Sequence, residues 1–103
     1  MVVLAQQNVF VVSDLGYYRA ACVALEGKVW DNHGLAEGIY TRVNRGLKAL
    51  NDLERTIMIG RYIDGLCWDD IADKVYYSER WCRQVKNIAL KKMELAMGYA
   101  VLA

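Results

Sequence analysis

Between Leu50 and Met93 the apolar positions fall into three stretches of helical spacing, separated by two short polar breaks. Leu53, Ile57, Met58 and Tyr62 share one face of a helix predicted over Asp52 to about Ile63. Asn51 stands just before it with Glu54 three residues on, the spacing of a capping box, in which each side chain satisfies the other's free backbone N–H. Asp64-Gly65 ends the run, because glycine accepts the left-handed conformation that closes a helix. Trp68, Ile71, Ala72 and Val75, at i, i+3, i+4 and i+7, predict a short second helix, and the methyl of Ala72 lets a neighbouring helix cross closely. Tyr76-Tyr77-Ser78 breaks it, with Ser78 as N-cap of a third helix. In that helix Cys82, Val85, Ala89 and Met93 alternate with Arg80, Arg83, Lys86, Asn87, Lys91 and Lys92.

The N-terminal half is apolar in a less periodic way. Met1 to Val12 surrounds Gln6, Gln7 and Asn8 with apolar residues, and Val9 to Val12 reads equally as a short strand or as the first turns of a helix. Ser13-Asp14 has the chemistry of a cap for a helix reaching about Val29, with Leu15, Tyr18, Cys22, Leu25 and Val29 at helical spacing. Asp31-Asn32-His33-Gly34 is a turn by composition. Leu35, Ile39, Val43, Leu47 and Leu50 then line one face of a further helix. Gly38 and Gly46 each cost that helix about 1 kcal/mol relative to alanine. It therefore depends on packing, against the helices that follow or against a second copy of the chain. With no proline and no Ser/Gly-rich linker, residues 1–103 read as one all-α unit, in which N-terminal helices to residue 50 precede a three-helix unit over 51–97.

A short middle helix followed by a basic one is the layout of a helix-turn-helix. The residues from Gly65 to Met93 resemble, without a gap, region 4 of bacterial sigma factors and the sigma-4-like domains of phage late transcription regulators (the ArpU and RinA type). The resemblance is carried by Gly65-Leu66-Cys67-Trp68-Asp69-Asp70-Ile71-Ala72, by Ser78-Glu79-Arg80, and by Arg83-Gln84-Val85 followed by Ala89-Leu90-Lys91-Lys92-Met93. Leu53-Glu54-Arg55 with Arg61-Tyr62 is similar to the family's preceding helix, so about the C-terminal half is covered. Three positions depart from the pattern. Cys67 replaces a hydroxyl cap, which leaves the second helix to Asp69 and Asp70, whose charges suit a helix N-terminus. Tyr76 occupies the turn position usually held by glycine, where a left-handed backbone costs a side chain roughly 1 kcal/mol. Trp81 replaces a smaller residue and either packs beneath the motif, the favoured reading, or presents an aromatic face to DNA or polymerase.

Charge changes the picture only through its distribution. The net charge is +1, yet Ser78 to Lys92 carries five basic residues against Glu79 alone, while Asp64 to Asp73 carries four aspartates and no base. A nearly neutral chain with one basic helix binds phosphates locally. Three cysteines without CxxC spacing, and the single His33 in a loop-like run, give no zinc signature and fit a reducing cytoplasm. No cofactor motif, phosphate loop or nucleophile elbow is present, so no enzyme site is expected. The opening stretch lacks a signal-peptide pattern and is too short to span a bilayer, so no membrane association is expected.

The resemblance implies base reading by the helix that begins at Ser78, mapped onto Glu79, Arg80, Arg83 and Gln84, with Asn87 beside them. Arginine pairs with guanine, glutamine or asparagine with adenine, and glutamate with the cytosine amino group. Lys86 and Arg55 are the candidates for phosphate contacts. The expected partner is double-stranded DNA, with RNA polymerase as a second candidate and a homodimer as the expected assembly, since one reading helix covers few base pairs. The implied role is a phage-encoded transcription regulator. Two rival roles use the same architecture: a small terminase-like packaging protein, and a sigma-4-like module that grips polymerase instead of DNA.

Overall fold

Asn51 and Glu54 form the reciprocal pair that their spacing predicts. The Asn51 side chain accepts the Glu54 N–H at 2.8 Å, and the Glu54 carboxylate accepts the Asn51 N–H at 2.9 Å. They open the third of five helices in the computed structural model, which describes residues 4–27 and 33–99. The helices are α1 (Leu4–Gly27), α2 (His33–Lys48), α3 (Asp52–Met58), α4 (Trp68–Val75) and α5 (Glu79–Ala96). The first two form a pair, and the last three form a unit against which that pair packs.

α3 does not run regularly to Ile63 as its apolar spacing predicts. After Met58 it widens into a π-helical turn over Ile59–Ile63, closed by Asp64 N–H bonding Ile59 O at 2.8 Å. The wider turn brings Gly60 against α4, where a Cβ would stand 3.4 Å from Ile71 Cγ1. Gly65 then ends the segment at φ +73°.

α1 differs most from expectation. The strand alternative for Val9–Val12 does not occur, and Ser13-Asp14 does not cap a helix: both lie in the middle of α1. Asp14 is 7 % exposed and binds groups from far along the chain. Its carboxylate accepts Arg42 Nε at 2.8 Å, Arg42 Nη2 at 3.1 Å and the Tyr99 hydroxyl, fastening α1 to α2 and to the chain beyond α5. Burial and this carboxylate together push the Tyr99 phenol up to about 12, so it stays a donor. Val29 and the Asp31-Asn32 part of the expected turn lie outside the described residues, while His33 and Gly34 begin α2.

Gly46, but not Gly38, marks where α2 leans on a following helix. Gly46 is buried beneath α5, and a Cβ there would meet Met93 Cε at 2.8 Å and Met97 Sδ at 2.9 Å. Two clusters fill the interior. The larger joins Val11, Leu15, Val43 and Leu47 to Met58, Leu90, Met93 and Met97. The smaller holds Ile57, Ile71, Cys82 and Val85, with Trp68 and Ala72 packed against it. α5 is therefore shared: its first half closes the small cluster and its second half closes the large one. Among the described residues no helix is long and apolar enough to cross a membrane.

Candidate nucleic-acid interface

Ser78 opens α5 as its N-cap, its hydroxyl accepting the Trp81 N–H at 3.1 Å. Cys82, Val85, Ala89 and Met93 face inward as their spacing predicts, joined by Leu90 and Glu94. With successive residues about 100° apart, this inward arc turns Arg80, Gln84, Asn87 and Lys91 into solvent, with Arg83 at the edge of the same strip. Burial, and then the charge of Glu79, push the Cys82 thiol up, so it acts as a small apolar group.

Arg83 is held from two sides. Its guanidinium lies over the Trp68 ring, 5.6 Å from the centroid, and its Nη2 stands 3.7 Å from the Glu79 carboxylate. Arg61 lies over the same ring at 5.0 Å and donates to Leu66 O at 3.2 Å. The indole of Trp68 is thus a shared platform for two cations, contributing on the order of 0.5–1 kcal/mol each at partly exposed sites. Sequence reading placed Trp68 only in the core stripe of α4. Its second duty follows from two arginines that approach it from other elements.

Glu79 sits half-exposed at the α4–α5 junction. A hydrogen bond with Asp69 on α4, followed by slight desolvation and the nearby negative charge, raises its carboxyl, and Arg83 offsets part of this. Cys67 gives α4 no side-chain cap and instead donates to Asp70 Oδ2 at 3.1 Å, so the first-turn aspartates carry the helix N-terminus.

The turn between α4 and α5 keeps the left-handed geometry that usually calls for glycine. Tyr76 has φ 62° and ψ 35°, and its N–H bonds Ala72 O at 2.9 Å. Its ring, 92 % exposed, gains nothing from packing. Trp81 does not pack beneath the motif either: it is 42 % exposed, because Cys82 takes the inward place and neighbours on a helix diverge by about 100°. With Tyr77 ahead of it and Ile88 seven residues on, it makes an apolar strip beside the basic one.

Of the eight residues singled out by sequence, Arg80, Arg83, Gln84 and Asn87 form one exposed strip with Ser78 and Glu79 at its head. Lys86 is half-buried on the inward side of that strip. Arg55 belongs elsewhere. Its guanidinium donates to Leu47 O at 3.1 Å and Leu50 O at 2.7 Å, and reaches Asp52 at 3.1 Å, tying the end of α2 to the start of α3. Lys92 is likewise engaged, donating to both oxygens of the buried Glu54 at 3.0 and 2.7 Å. Among the described residues no cluster of three or more His, Cys, Asp or Glu side chains is placed to hold a metal ion.

Comparison of the chain with protein-family models, with curated proteins and with solved structures gives no match. The resemblance to sigma region 4 accordingly stands on the residues quoted for it.

Proposed function

We propose that the chain is a sequence-specific double-stranded DNA-binding transcription regulator with a sigma-4-like helix-turn-helix, in which α5 is the reading helix. The observation that carries this reading is the exposed strip of Arg80, Arg83, Gln84 and Asn87 in the first half of α5, backed by buried Cys82, Val85 and Ala89. These four side chains have the donors and acceptors that distinguish guanine and adenine in the major groove. The stacking of Arg83 on Trp68 restricts its guanidinium before any base is met, so less freedom is lost on binding. Lys91 extends the strip and is suited to a phosphate. Arg55, committed to carbonyls at the α2–α3 junction, is better suited to holding α3 in place than to reaching for DNA.

A second reading is favoured by a separate observation. Asp69, Asp70 and Asp73 are exposed on α4, and Tyr77, Trp81 and Ile88 are exposed beside the basic strip. Carboxylates and apolar rings suit a protein surface better than a phosphate backbone, as in a module that grips RNA polymerase.

The deciding experiment is selection from a pool of random duplex DNA at several salt concentrations, with sequencing of the bound fraction. A short enriched motif that is lost in Arg83→Ala is the expected result, with affinity falling as salt rises. Weak binding without an enriched motif overturns the DNA reading. Tight binding to polymerase in its place establishes the second.

A further inference from the structure

α1 presents to solvent a face that no described residue covers. With residues about 100° apart, its exposed positions from Val9 to Gly27 gather within an arc of about 200°, of which about 140° carries no charged side chain, the exposed Arg19 and Glu26 standing together at one edge. Its centre is small and recessed: Ser13, Gly16 and Ala20, with open space where a Cβ on Gly16 would project. Val9 lies in line with that centre, about two turns before Gly16, and the margins are large and apolar, Val23 on one side and Phe10 and Tyr17 on the other. At that charged edge the Arg19 guanidinium donates to Ile63 O and pairs with Asp64, while Glu26 is exposed about two turns further along. Beyond Tyr17 the surface continues across a groove of about 430 Å³ between α1 and α2, whose far wall includes Leu35 and Ile39.

We propose that this face of α1 is where two copies of the chain associate. Val9, Phe10, Tyr17, Val23 and Leu35 are each 52–63 % exposed. For side chains of this size that leaves on the order of 500 Å² uncovered, at the upper end for a monomer's largest apolar patch. Adding the small residues between them brings the face close to the ~800 Å² per partner of a standard interface. A two-fold contact sets the same patch against itself, so a charge near its centre would meet its own copy. The uncharged middle avoids that, and the small Gly16 and Ala20 leave room for the large margins of one helix to settle against the centre of the other. A lipid surface fits less well. A membrane-binding helix carries large apolar groups along the middle of its face and Lys or Arg along both edges, whereas here Val9 is the one large group of a middle otherwise made of Ser, Gly and Ala, and the single base at an edge, Arg19, is paired with Asp64. None of this depends on what α5 touches.

Sedimentation equilibrium of the full chain across micromolar concentrations tests the inference. Expected is a dimer that Ala20→Glu converts to monomer, with circular dichroism unchanged, since Glu is a good helix former at an exposed site. Gly16→Glu is a second probe of the same centre and is expected to act alike. A chain that stays monomeric throughout overturns the inference. So does a dimer that persists in both variants, because its contact then lies elsewhere, and so does a monomer that floats with neutral phospholipid vesicles. A dimer whose DNA selection yields no motif leaves the association intact and removes the DNA reading; a monomer that still enriches a motif does the reverse.

Discussion

Tyr76→Gly is expected to make the protein more stable, although it removes a large side chain. Tyr76 occupies the left-handed region at φ 62°, and its ring is 92 % exposed, so truncation leaves no cavity and breaks no contact. A non-glycine residue in that conformation carries a strain of roughly 1–2 kcal/mol. Glycine relieves it but gains freedom in the unfolded chain, which returns about 0.4–1 kcal/mol. The net gain is therefore about 0.5–1 kcal/mol, a rise in Tm of roughly 2–8 °C for a domain of this length. Thermal melts followed by far-UV circular dichroism measure it. Two further variants isolate the cause. Tyr76→Ala keeps a Cβ and the strain, and should melt within a degree or two of the parent; Tyr76→Asn, whose side chain tolerates this region, should fall between. A Tm for Tyr76→Gly equal to or below that of Tyr76→Ala would refute the reasoning. If the exposed ring serves a partner, the same glycine variant will bind that partner less well while melting higher, a trade-off frequent where strain is kept at a working surface.

Other consequences are as direct. Glu54→Gln removes the charge that holds Lys92 and weakens the α3 cap, and should cost about 1–3 kcal/mol in denaturant unfolding. Burial pushes the Glu54 carboxyl up, but Lys92 and the Asn51 N–H outweigh it and hold it below the usual carboxylate value. The folded state thus binds this proton less tightly than the unfolded one, so the stabilisation is complete above the ordinary carboxylate range and is lost as pH falls through the lowered value. Glu94 has the opposite sign. It is 3 % exposed with Oε1 unpartnered, and burial raises its carboxyl, with Lys91 offsetting only part. Its ionisation therefore destabilises the fold as pH rises through the raised value, and Glu94→Gln should lift Tm at neutral pH and lose that advantage below the ordinary carboxylate range. In the DNA assay, Arg83→Ala should cost roughly 1–3 kcal/mol at one base position, while Lys91→Ala should weaken all sequences alike and flatten the salt dependence.

The C-terminal half was legible in sequence because its signals are local. Asn51 with Glu54, Ser78 ahead of Glu79, and the 3–4 spacing of Trp68 to Val75 each act within one or two turns, and the helices start or run where these signals predict. The exposed strip of α5 follows from the same arithmetic once Cys82, Val85 and Ala89 are taken as inward. Asp14 was misread because a Ser-Asp pair caps a helix or sits within one with the same local chemistry. What decides is Arg42, 28 residues on, and Tyr99, 85 residues on. Arg55 was taken for a phosphate ligand because its acceptors are backbone carbonyls, present wherever a helix ends and visible in no side-chain pattern. The π-helical turn after Met58 had no signal beyond Gly60, whose role depends on Ile71 arriving from α4. For Trp81 the favoured packing gives way to the exposed alternative, because the periodicity that places Cys82 inward already turns its neighbour out.

That α5 belongs to both clusters makes it a lever. Eighteen residues of helix form a rod about 27 Å long. One end is seated under α2 through Met93 and Met97, and the other carries Ser78, Arg80 and Arg83. A turn of only about 5° at the seated end displaces the far end by about 2 Å, more than a hydrogen bond tolerates. The packing of α1 and α2 and the placement of the side chains at the tip are thus set by one continuous shaft, seated in the large cluster at one end and in the small cluster near the other.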